Sequence, residues 1–374
     1  MTAEPEESKP AENRYLLCSR KDGIGARLIN LAWTWRMAQA AGLKTLCFWP
    51  PLDPYYGEAN GVGDLLDVFA LATSDLNDEL KIIDARPIEC VHARPVTLSP
   101  DMRHDPLAYA VTPKTGRSSK SPPVPLIDSA MGPLLAPGES AADATEEVRA
   151  LFARLPVTLR IRQALKAAEK SLGLHRVVAV HVRRGDIVET LRKACRHFTP
   201  AELEQGSVLD RYTEHFFRGC APTSSYIRLV RPYLREGYGI LFFTDTPVEA
   251  EPFKARFPYK LALAEDLAPK HLTGIQRAFF EILVMSRCHA IIGAKSAFST
   301  LASLIGGIPI VDARGHTTAE EYLKSYKRAV RFDRLPPEAR EGISQVVVRK
   351  LAENRLLDRW SADGEEILRL LDAA

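Results

Sequence analysis

The chain has 374 residues, 46% of them hydrophobic and 26% charged, with a formal net charge of +3. That length can hold two domains with full cores, and a charge so close to zero argues against a broad nucleic-acid footprint. The six cysteines (Cys18, Cys47, Cys90, Cys195, Cys220, Cys288) are scattered without a C-x-x-C pair, which excludes an obvious zinc site or disulfide framework and suits reduced thiols in a cytoplasm, and no apolar run is long enough to span a membrane.

Positions 1–13 are acidic, carry prolines and lack an apolar core, so they read as a disordered tail and not as a signal peptide. Positions 14–19 read as a first strand. The turn Lys21-Asp22-Gly23-Ile24-Gly25 follows, and Gly23 and Gly25 would let the backbone approach a ligand closely. Over 26–41, Leu28, Leu31, Ala32, Trp35 and Ala38 recur at helical spacing, with Gly42 as the stop. Positions 45–49 read as a second strand closed by Pro50-Pro51. This β-turn-α-β unit implies a parallel sheet. It lacks the third glycine of a dinucleotide fingerprint and does not point to NAD. A short helix is expected over 62–71 and strands over 80–84 and 89–96. The stretch 112–142, rich in Pro, Gly and Ser, reads as a long loop or partly ordered insertion. Helices over 144–154 and 157–172 close a first domain, 14–173.

The second domain, 174–317, opens on Val177-Val178-Ala179-Val180-His181-Val182-Arg183-Arg184-Gly185-Asp186. The β-branched run predicts a strand buried on both faces, and its carboxyl end is where an open α/β sheet takes its ligand. Two guanidinium groups there suit a polyanion such as a diphosphate. A solvated ion-pair cluster is the plainer alternative. A helix capped by Ser224 or Ser225 and kinked at Pro232 is expected next, then a strand over 239–244, a helix over 248–257, a strand near 260–263 and a polar loop over 264–271. A helix over 274–287, a strand over 289–292, a helix over 296–304 and a strand over 308–311 complete a second Rossmann-like sheet. The remainder, 318–374, reads as a helical tail.

Three further positions carry candidate chemistry. Asp245, after a strand, can accept from a base or ribose, or cap the helix that follows. Glu281, in Phe279-Phe280-Glu281-Ile282-Leu283, can meet the paired N–H donors of a guanine edge, or lie on a solvated helix face. Lys295-Ser296-Ala297-Phe298 leads into a helix whose amino end can bind an anion, or Ser296 is a simple cap.

In their order, these motifs resemble the fucosyltransferase superfamily. Ser19 to Gly25 with Leu31 to Gln39 resembles the start of the rhizobial nodulation α1,6-fucosyltransferases. His181-Val182-Arg183-Arg184-Gly185-Asp186 is similar to the H-x-R-R-x-D motif of α1,2-, α1,6- and protein O-fucosyltransferases. Phe243-Thr244-Asp245 resembles the second motif, and Glu281 to Phe298 the third. The resemblance covers most of 14–311. It implies a GT-B architecture, two Rossmann-like domains facing across a cleft, and an inverting, metal-independent transfer of L-fucose from GDP-fucose to a glycan or glycolipid acceptor. GDP-fucose would be the donor substrate, and no cofactor is implied. Arg183 would hold the β-phosphate with Arg184 in support, His181 and Asp245 would line the donor site, Glu281 would face guanine, and Ser296, Ala297 and Phe298 would meet the diphosphate. The base is open between Asp186 and Glu189, because Glu189 departs from the family spacing. Another nucleotide-sugar donor, or a silent glycan- or nucleotide-binding protein of the same fold, are the alternatives. The expected setting is cytoplasmic, with no nucleic acid and with peripheral membrane contact left open.

Overall fold

The computed structural model describes residues 15–20, 22–49, 65–71, 76, 79–83, 93–95, 124–127, 130–272, 274–294 and 296–372. The expected tail at 1–13, Lys21, Cys90, Lys295 and much of the 112–142 stretch lie outside them. The chain divides into two units: residues 1–163, 271–280 and 304–307 form one, and 164–270, 281–303 and 308–374 the other.

In the first unit, β1 (Tyr15–Ser19), β2 (Lys44–Phe48), β3 (Leu80–Ile83), β4 (Ala93–Pro95) and β5 (Val124–Ile127) form a parallel sheet in the order β3-β2-β1-β5-β4. Helix α1 (Ile24–Ala40) follows β1, and every residue from Ile24 to Ala38 is buried. A helix covered on all sides must satisfy its own polar groups. Asn30 does so by donating to the Ile127 carbonyl and accepting from the Ala130 N–H, both at 2.9 Å, which ties α1 to the end of β5. Arg36 does so through Glu139, Glu147 and the Leu134 carbonyl, which ties α1 to α2 (Ala141–Arg154). The α1 stop falls as expected at Gly42. Its φ of +64° suits glycine, and its N–H donates to the Gln39 carbonyl at 3.0 Å while that of Leu43 reaches the Ala38 carbonyl at 2.8 Å.

Two expectations for this unit are corrected. The described part of 62–71 is a single tight turn, Leu65–Asp67, after which Phe69 bridges Val157 in antiparallel fashion. The helix-like spacing of Leu65, Val68, Phe69 and Leu71 is real burial, but the backbone bonds outward: Ala70 donates to the Pro156 carbonyl and Val68 accepts from Thr158. Of the two readings of 112–142, the single long loop is corrected and the partly ordered insertion stands, since Val124–Ile127 is the strand between β1 and β4. Helix α3 (Leu159–Leu172) leads out of this region.

In the second unit, β6 (Val177–Val182), β7 (Gly239–Thr244), β8 (Leu261–Leu263), β9 (Ala290–Gly293) and β10 (Ile310–Asp312) form a parallel sheet in the order β10-β9-β6-β7-β8. Helices alternate with these strands or join them: α4 (Gly185–Arg196), α5 (Val208–Gly219), α6 (Thr223–Arg235) and α7 (Glu251–Arg256), with one turn of helix, α8 (Ala264–Leu267), in the expected polar loop; of α9 (Gly274–Ser286) and α10 (Ala297–Gly306), residues 281–286 and 297–303 belong to this unit. Helix α6 starts after Pro222, so neither Ser224 nor Ser225 caps it. Ser225 is instead buried, with its hydroxyl 2.8 Å from that of Thr317. The helix expected over 248–257 is split into a tight turn, Pro247–Ala250, and α7, as the proline at position 252 opens the second piece.

The tail is helical as expected: α11 (Ala319–Val330), α12 (Pro337–Glu353), α13 (Leu356–Trp360) and α14 (Gly364–Asp372). It is also part of the second unit's interior. Tyr322, Tyr326, Ile343, Val347 and Ile367 close over Leu191, Phe216 and Phe217 of α4 and α5 in one apolar cluster. The class is α/β with two Rossmann-like parallel sheets. Among the described residues, no helix is long and apolar enough to cross a membrane, and the described cysteines are free and buried.

Candidate functional site

The register sets the site. His181 lies level with Phe243 of β7 and Gly293 of β9, so β6, β7 and β9 end together. The chain runs from β6 outward through β7 and β8, then returns to β9 on the other side of β6. A crevice at the carboxyl edge opens at such a switch point. The segments after these three strands carry Arg183–Asp186, Asp245–Thr246 and Ser296–Phe298, so the three sequence motifs of this half meet at one sheet edge.

The two arginines part company there. Arg183 stays at the edge with its side chain 32% exposed. Its Nη2 donates to Asp186 Oδ2 at 2.6 Å and its Nε approaches Oδ1 at 3.3 Å. Burial pulls its pKa down, but Asp186 and then Asp245 outweigh burial and hold it above the ordinary arginine value. Arg184 turns into the body of the unit. Its Nη1 donates to Glu249 at 2.9 Å, and its Nη2 donates to the Ala221 carbonyl at 2.7 Å and to the Thr223 hydroxyl at 3.2 Å, while its buried Nε has no hydrogen-bond partner. One arginine can face a ligand, and the other braces β6 against the starts of α6 and α7.

Asp245 does something the sequence did not signal. Its carboxylate accepts from the backbone N–H groups of Arg184 at 3.0 Å and Gly185 at 3.1 Å, and from the Thr246 hydroxyl at 3.0 Å. It caps α4, the helix of the neighbouring strand, and not the helix that follows it in the chain. A Cβ on Gly185 would stand 3.1 Å from Asp245 Oδ2 and 3.2 Å from the Thr246 hydroxyl, so glycine is what lets the carboxylate come this close. The amino end of α4 therefore already holds an anion.

His181 is buried with its ring stacked on Phe298, centroids 5.5 Å apart. Burial lowers its pKa to about 4 against the opposing pull of Asp245, so it is a neutral imidazole at physiological pH. Ser296 is buried and accepts from the Phe298 N–H at 3.3 Å, capping α10. Of the two candidate bases, Asp186 touches Arg183, whereas Glu189 is one turn further along α4, exposed, and paired with Lys193 at 2.8 Å, which holds it below the usual carboxylate range. Glu281 is half-buried on α9 between Phe280 and Ile282, which are fully covered.

Gly23 and Gly25 belong to the first unit. Gly23 is the extended residue before α1, and its carbonyl accepts from the Ala26 and Arg27 N–H groups; Gly25 sits inside the helix and not in a turn. Beside them, Arg27 is buried 4.6 Å from the centre of the Trp49 ring, and burial lowers its pKa to about 10. Sequence reading missed Glu249, Ala221 and Thr223, the partners of Arg184. They lie 37 to 65 residues away in the chain, and only the pairing of β6 with β7 brings them together.

No family model and no curated protein matches the chain by sequence. Among solved structures, it is similar to the fucosyltransferase NodZ from Bradyrhizobium, at 17% identity over 82% of this chain and 98% of that one, with a TM-score of 0.48. It is likewise similar to the NodZ alpha-1,6-fucosyltransferase co-crystallized with GDP (16% identity, 81% and 95% covered, TM-score 0.45) and to POFUT1 in its apo form (13% identity, 82% and 99% covered, TM-score 0.42).

Proposed function

We propose that the chain is an inverting, metal-independent glycosyltransferase that moves L-fucose from GDP-fucose to a hydroxyl of a glycan or glycolipid. The observation that carries this reading is the position of Arg183: a partly exposed guanidinium at the switch point of the second sheet, stacked in sequence with His181, Gly185 and Asp186 in a motif of fucosyltransferase type. Its planar fork matches two phosphate oxygens and stays charged. As the acceptor oxygen attacks the sugar carbon, the bond to the β-phosphate breaks and negative charge grows on the departing diphosphate. Arg183 and the amino end of α10 offset that charge. The acceptor proton passes to a carboxylate, and Asp186 is the better placed candidate because it lies against Arg183. The neutral His181 ring, stacked on Phe298, stands two residues before Arg183 at the end of β6. Glu281 would accept from the guanine N1–H and exocyclic amine, a donor pair that adenine and uracil lack.

The test is donor hydrolysis and transfer with GDP-fucose, other GDP-sugars and UDP-sugars. GDP-fucose should be turned over fastest, and Arg183→Lys, with its fold checked by circular dichroism, should be slower by about a hundred- to a thousandfold. GDP should bind more tightly than ADP or UDP, with Glu281→Gln narrowing the gap. Equal binding of UDP, or near-normal turnover by the lysine variant, overturns the assignment.

A further inference from the structure

We propose that Asp186 is a resident counter-ion of Arg183 that the donor's diphosphate displaces, so that the carboxylate becomes free only once a donor is bound. The inference rests on the reading of Arg183 as the diphosphate ligand and adds an order of events to it.

The carboxylate lies along the Nε–Nη2 edge of the guanidinium, at 3.3 and 2.6 Å. That edge is one of the two that can grip a phosphate with parallel hydrogen bonds. An anion arriving there competes with Asp186 for the same donors. The exchange is open to solvent, because the two side chains are 32% and 26% exposed. Arg184 offers the contrast. It and Glu249 are only 14% and 18% exposed, and its other nitrogen is held by a carbonyl and a hydroxyl, so a ligand could not take it without leaving buried acceptors bare.

The main chain under Asp186 is pinned. Asp245 holds the N–H groups of Arg184 and Gly185, and the Val188 N–H donates to the Arg184 carbonyl at 2.7 Å. Release therefore needs only rotation of the Asp186 side chain. Once released, the carboxylate no longer lies on the guanidinium and its oxygens are free to accept a hydrogen bond from an acceptor hydroxyl. Premature proton transfer is thereby avoided, and donor binding precedes activation of the acceptor.

The experiment is calorimetric titration of the full chain with inorganic pyrophosphate and with GDP at fixed ionic strength. Asp186→Asn should bind both about two- to fivefold more tightly than the unmodified protein, the range that removal of a partly exposed ion pair allows, while fucosyl turnover collapses. Tighter binding with lost turnover is not the signature of a merely structural residue. Asp186→Ser, which also suits the first turn of a helix, is the second variant and should behave alike. Glu251→Gln removes an exposed carboxylate that pairs with Lys254 and controls for bulk charge; an equal gain there overturns the inference. So does unchanged or weaker binding by both Asp186 variants while the unmodified protein binds GDP, an outcome that leaves the donor reading standing. Failure of GDP and pyrophosphate to bind any of these proteins removes the donor reading and this inference together.

Discussion

At the residue scale, two adjacent arginines take opposite roles for a reason the sequence could not display. Successive residues at a strand end point to opposite sides, so if Arg183 faces the crevice, Arg184 must find partners in the body of the unit. It finds Glu249 and the Ala221 carbonyl. The sequence showed that charge collects here, but not which charge is free to act. His181 is a second case. In sequence it reads as a ligand, and in the structure it is a buried ring on Phe298 with its pKa lowered to about 4. An unfolded histidine titrates near 6.5. Between these values the unfolded chain takes up a proton that the folded one refuses, so stability is lost as pH falls from about 6.5 towards 4. From pH 7 to pH 5 this one residue should cost about 2 kcal/mol. His181→Phe, which keeps a ring against Phe298, should flatten that part of the profile in urea unfolding at the two pH values. An unaltered slope would mean that the imidazole is not held neutral.

At the element scale, the strands buried on both faces were the legible ones. β6 and β7 stand at the bounds read from their Val-, Ile- and Phe-rich runs. β5 was hidden in the insertion because Pro125 removes a ladder donor and breaks the apolar pattern. The turn at Leu65–Asp67 carries helical spacing in its sequence because burial against distant segments can mimic it. The sequence of the tail shows its helices but not their partner, since an apolar helix face does not say what it covers. A buried ion network shows how firmly it is joined. Lys350 of α12 is 3.0 Å from Asp210 of α5 and 2.7 Å from Glu353, and Arg349 reaches Asp210 at 2.7 Å. Burial would push Asp210 up, but the Gly206 N–H, Lys350 and Arg349 outweigh it and hold its pKa below the usual carboxylate range. Lys350→Ala leaves a buried carboxylate short of one cation and should destabilise the protein by about 3 kcal/mol. A drop below about 1 kcal/mol in chemical unfolding would show that Arg349 alone suffices.

At the scale of the whole molecule, the charge that the proposed donor's diphosphate would need must come from somewhere, and a near-neutral chain cannot supply it by a general field. It has to be local. Metal-dependent donor sites obtain it from a cation held by carboxylates at a strand end. Here Asp245 is engaged on the backbone N–H groups at the start of α4, and Asp186 on the Arg183 guanidinium until a donor displaces it. Among the described residues, no group of three His, Cys, Asp or Glu side chains is placed to hold a metal ion. Among the described residues of the segments that follow β6, β7 and β9, the guanidinium left at the edge is that of Arg183. Transfer activity should therefore persist in excess chelator, with a rate within about twofold of the untreated protein, while Arg183→Lys loses far more in the same assay. Loss of activity under chelation, restored by magnesium or manganese, would show that the guanidinium is not the main counter-charge and that Asp186 or Asp245 leaves its present partner to bind a cation.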